Sequence, residues 1–62
     1  MKAEHSFLRD LTTVYRMAFL AGETDRCSRI ADTVREKYAP WTYTDWVREQ
    51  AAFMGEHRKG AA

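Results

Sequence analysis

Three side chains of this 62-residue chain have the chemistry of a nucleophile or a proton carrier: Cys27, His5 and His57. A thiolate with an imidazole in hydrogen-bond reach is a pair for acyl transfer, and clustered Cys and His ligands would hold zinc. Neither pattern is present. Cys27 falls on an apolar helical stripe, where a buried thiol is inert, and no local signature joins it to either imidazole. The histidines lie 52 positions apart with a lone cysteine between them, so no metal is expected. Gly22, Gly55 and Gly60 are isolated and form no phosphate-cradling loop. Asp32 and Glu36 stand one helical turn apart, and they read with Glu49 and Glu56 as solvated carboxylates rather than an acid and base pair. A chain this short also has little room for a pocket of several hundred cubic ångströms. The reading is of a protein without catalytic residues or cofactors that works by binding.

Elements that would position a binding surface can be read from apolar spacing. Phe7, Leu8, Leu11, Val14, Tyr15 and Ala18 predict a first helix over 6–21, with Ser6 as N-cap and Gly22 as its stop. Arg9, Asp10, Thr12, Thr13 and Arg16 fall on its other side. The segment GETD supplies a turn, with Thr24 or Asp25 capping a second helix to about Tyr38 that carries the stripe Cys27, Ile30, Ala31, Val34 and Tyr38. Pro40 pushes Ala39 out of helical geometry, so the second helix ends by that point. Thr42 with Asp45 three positions on then predicts a third helix, with Trp41 stapled against Trp46 and the end between Met54 and His57. Residues 1–5 and 58–62 are expected to fray. The fold class is all-α, a small three-helix arrangement in one domain (1–62), bundle-like or a helical hairpin plus a third helix, with dimerisation as a way to complete it.

The window KYAPWTYTDW holds four of the eight aromatic residues, Tyr38, Trp41, Tyr43 and Trp46. They bracket the corner between the second and third helices. On the third helix Tyr43, Val47, Ala51 and Met54 form one stripe, taken as the core face, and Trp46, Gln50, Phe53 and His57 form another. Met17 and Leu20 are apolar on the outer side of the first helix. The surplus points to a patch for a protein partner made of Trp41, Trp46, Phe53, Met17 and Leu20, with Arg48 and Gln50 on its rim. If instead Trp46 and Phe53 complete the monomer's core, Leu20 folds over the GETD turn. The spacing Leu8, Leu11, Tyr15, Ala18 resembles a short dimer seam, but it is too short for a coiled coil and reads as an intramolecular contact.

Charge excludes little by itself. Ten Lys and Arg against nine Asp and Glu leave +1, neither the footprint of a typical nucleic-acid binder nor that of a nucleic-acid mimic. The alternative function is a helix-turn-helix-like regulator holding nucleic acid through Arg26, Arg29 and Lys37. Its reading helix would begin Thr42, Tyr43, Thr44, Asp45, which lacks the usual base-contacting residues. No apolar run reaches the roughly 20 residues that cross a bilayer, the start MKAEHSF lacks the apolar centre of a secretory signal, and one cysteine forms no internal disulfide. A cytoplasmic protein is expected.

Overall fold

The computed structural model describes residues 2–59, with side chains from Ser6 to His57. It contains three helices: α1 (Lys2–Leu20), α2 (Thr24–Lys37) and α3 (Pro40–Lys59). The fraying expected of residues 1–5 and 58–62 falls on side chains outside the described ones. Among the described residues there is no strand, as the spacing predicted.

Each boundary has a local cause. Gly22 takes φ of 77°, the left-handed geometry that suits glycine. Its amide donates to Phe19 O (3.0 Å) and the Glu23 amide donates to Ala18 O (2.9 Å), a Schellman closure that satisfies the last carbonyls of α1. The other end of α1 differs from expectation: the helix is already under way at Lys2, so Ser6 lies inside it and is no N-cap. Nothing between Lys2 and Ser6 breaks a helix, and helical propensity extends the element. At α2 the N-cap is Glu23, without a side-chain bond to the helix amides, in place of Thr24 or Asp25. The Glu23 carboxylate pairs instead with Arg26 at 3.2 Å. Tyr38, at φ −124° and ψ 161°, leaves helical space two residues before Pro40.

The third helix corrects the sequence reading most. It starts at Pro40, two residues before the expected Thr42 cap, and runs on to Lys59 through Gly55. Proline at the first helical position has its φ preset and lacks only an amide that would be unpaired there anyway, so it opens a helix as readily as it ends one. Trp41 and Thr42 are thereby drawn into the first turn. The Trp41–Trp46 staple does not form, since Trp41 is 73% exposed and Trp46 is 4% exposed.

The core is small. Ile30, Val34 and Trp46 form its centre, with Leu8, Leu11, Tyr15, Ala31, Tyr38 and Tyr43 packed against it. The α2 stripe thus faces inward as expected. The Leu8, Leu11, Tyr15, Ala18 spacing is an intramolecular contact, its first three residues on this core and Ala18 buried. Thr12 meets Trp46, Arg16 meets Gln50 and Phe19 meets Phe53, so residue numbers rise together and α1 and α3 run parallel, with α2 returning between them. The molecule is elongated, 39 × 18 × 18 Å.

Candidate interaction surface

The inner face of α3 is centred on Trp46 and Gln50, not on Val47 and Ala51. Tyr43 and Met54 flank that centre on one side and the half-buried Phe53 on the other, whereas Val47 and Ala51 are exposed. Magnitudes explain the choice. Burying an indole removes about 150–250 Å² from water, worth about 4–6 kcal/mol at ~25 cal/mol per Å², against about 1.5–3 kcal/mol for a valine. Turning the Trp46 stripe inward wins, provided that the polar atoms it carries are matched.

They are matched by residues of α1 that the periodicity had placed outside. The Trp46 Nε1–H donates to Thr12 Oγ1 at 2.8 Å, and the Thr12 hydroxyl donates to Leu8 O at 2.8 Å. Gln50, 1% exposed, donates through Nε2 to Trp46 O (3.1 Å) and accepts at Oε1 from Arg16 Nε (2.8 Å). The Arg16 guanidinium lies over the Phe53 ring, 4.6 Å from its centroid, where the ring's negative face attracts it. Tyr15 meets the Trp46 ring edge to face at 5.0 Å. Among the described residues no buried side-chain nitrogen or oxygen lacks a partner.

Trp46 and Gln50 are therefore removed from the expected partner patch, because they are sealed against α1. Phe53 is mostly spent as well: Phe19 meets it edge to face at 6.2 Å and the His57 ring stacks on it at 4.0 Å. Trp41, Met17 and Leu20 remain exposed, at 73%, 64% and 60%, and Arg48 is exposed. They do not meet as one patch. Trp41 lies about 140° round α3 from Trp46, on the face turned from the core. The 34-residue offset of the Thr12–Trp46 and Arg16–Gln50 pairs sets Trp41 level with Phe7, some 15–20 Å along the molecule from Met17 and Leu20. Leu20, 60% exposed, is not covered by the turn that follows it. None of the protein-family models, curated proteins and solved structures compared with this chain matches it.

The chemistry-bearing residues are engaged apart from one another. The Cys27 thiol donates to Tyr15 O at 3.6 Å, and burial, followed by the Glu23 carboxylate, pushes its pKa above the ordinary thiol range. Tyr15 is raised too, first by burial and then by Cys27 and Tyr43. A thiol raised in this way is a poorer nucleophile. His57 Nδ1 lies 3.0 Å from Phe53 O, a partner unrelated to Cys27, and the His5 side chain is outside the described residues. The described Cys, His, Asp and Glu side chains include no group of three arranged to hold a metal ion.

Arg26, Arg29 and Lys37 are exposed along one flank of α2. Arg26 is paired with Glu23, and Asp25, Asp32 and Glu36 lie next to that flank, so positive potential is not concentrated there. The first turns of α3 expose Trp41, Thr44, Asp45 and Arg48, one acid against one base. No described helix is long and apolar enough to cross a membrane.

Proposed function

We propose that this chain is a non-catalytic helical protein-interaction module, an inhibitor, adaptor or small subunit of the cytoplasm, that docks a protein partner through the face carrying Trp41. The observation behind this reading is the Trp41 indole, 73% exposed in the first turn of α3. Its position is not forced by packing, for Trp46 already fills the core. Leaving such a large ring in water costs several kcal/mol of unrealised burial, and tryptophan is the residue type in which interface binding energy most often concentrates. Arg48, two turns on, supplies a planar donor set for a polar rim. The raised thiol of Cys27, turned to a backbone carbonyl, supports a role without nucleophilic chemistry.

The test is affinity capture from the native cell with the wild-type chain and Trp41→Ala in parallel, followed by calorimetry on each purified candidate. A specific partner that binds the wild type and loses at least about tenfold in affinity with Trp41→Ala supports the reading, as expected for a tryptophan anchor. A captured set unaltered by the substitution removes it.

A further inference from the structure

Charge is arranged differently on α2 and α3. At α2 acids and bases interleave, and Glu23 pairs with Arg26 at 3.2 Å and Asp32 with Arg35 at 3.8 Å. Over residues 40–57 of α3, three exposed carboxylates, Asp45, Glu49 and Glu56, stand against one exposed arginine, Arg48. A rotation of about 100° per residue gathers the three acids into an arc of about 40°, in a row roughly 16 Å long. Trp41 lies beside that row, about 40° from Asp45, and Arg48 lies on the far side of the indole. Among the described residues no cation comes within 4 Å of Asp45, Glu49 or Glu56. Arg16, the arginine that α1 turns toward α3, is held by Gln50 and Phe53. Asp45 and Glu49 are a like-charge pair at i and i+4, which weakens a helix rather than supporting it. The fold leaves that repulsion unrelieved beside its most exposed large apolar side chain.

We infer that the protein partner docked at Trp41 is basic there: it offers an apolar slot to the indole and, along one border of the slot, lysine or arginine side chains that meet Asp45, Glu49 and Glu56. The inference rests on the docking role proposed for Trp41 and adds the partner's chemistry to it. Charge complementarity carries the assignment, because cations set along the row relieve the Asp45–Glu49 repulsion and fix how the partner lies on α3. Ala52, between the indole and the acids, is exposed and small, so a partner's backbone can come close. Nucleic acid and anionic membranes would be repelled by the same carboxylates.

The probe is a helix-forming peptide of leucine and lysine, about 18 residues long, titrated calorimetrically into the whole chain, with a leucine and glutamate peptide of the same pattern as control. The lysine peptide is expected to bind and to weaken as salt is added, and the glutamate peptide not to bind. Asp45→Asn/Glu49→Gln weakens binding at least about fivefold at low salt, whereas Asp32→Asn/Glu36→Gln, the same charge change at the same spacing on α2, alters it less than about twofold. All four positions are exposed, and both double variants keep the helical circular dichroism. No binding of the lysine peptide, or an equal loss in the two double variants, overturns the inference. A partner captured from the cell that needs Trp41 but is indifferent to Asp45→Asn/Glu49→Gln also overturns it and leaves the proposed function standing. Peptide binding that needs the carboxylates but survives Trp41→Ala strikes the anchor role of Trp41 and leaves the acidic row.

Discussion

Trp41 and Trp46 sit five residues apart on one helix and share a side chain, yet one is open to water and the other is closed off by α1 and α2. The difference does not come from hydrophobicity, which is equal, but from what stands opposite each indole nitrogen. Trp46 meets Thr12, whose hydroxyl accepts its N–H and passes a hydrogen bond on to Leu8. A tryptophan is buried without penalty only where such a partner exists. Trp41, on the turned-away face, has no core to enter and stays in water.

The contrast is broken most severely at Trp46. Trp46→Ala costs about 3–5 kcal/mol through lost transfer energy and the cavity left behind, a large part of the stability available to so small a domain, and urea denaturation measures it. Thr12→Val keeps the shape but leaves the indole N–H unsatisfied, for a loss of about 1–3 kcal/mol in the same assay. If Thr12→Val proved neutral, the matching of the indole nitrogen would not be what distinguishes the two residues. Gly55→Ala acts in the other direction. A methyl group there meets open space, so the helix gains about 0.8–1 kcal/mol of propensity and the melting temperature rises. Trp41→Ala changes stability by less than about 0.5 kcal/mol, and in the wild type acrylamide quenches Trp41 fluorescence far more than Trp46 fluorescence.

Cys27 adds a dependence on pH. Its folded pKa lies above that of the unfolded thiol, so the folded state holds its proton more tightly, and this contribution is fully present below the unfolded value. Stability falls as pH rises from the ordinary thiol range through the raised value. Denaturation midpoints measured across the alkaline range are expected to decline less in Cys27→Ala, and alkylation of Cys27 is slower in the folded protein than in urea at equal pH.

The α2 stripe, the Gly22 stop and an end of α2 by Ala39 were legible in the sequence because each rests on a local rule: periodicity, positive φ and the constraint before proline. The face of α3 was not, because two stripes of similar spacing compete and the decision lies in another element. Thr12 and Arg16 look like surface residues on α1 alone. Their meaning emerges only against α3, where Thr12, Arg16 and Phe19 face Trp46, Gln50 and Phe53 with the same spacing of four and three. That shared interval was the available signal. The start of α3 precedes the Thr42 cap because a proline that ends one helix also opens the next. The five residues expected to form one patch were separated by helix register, which apolar content does not encode.

The parallel run of α1 and α3 also shapes how the chain finds its structure. Neighbouring helices are joined by links of two or three residues, so their docking closes small loops and proceeds on the microsecond to millisecond scale of local topologies. The Arg16–Gln50 and Thr12–Trp46 contacts instead close a span of 34 residues, whose ordering entropy delays them. They would then act as a latch fastened after the helical hairpins have formed, so that loosening it by Thr12→Val hastens unfolding in stopped-flow traces while the refolding limb stays nearly in place.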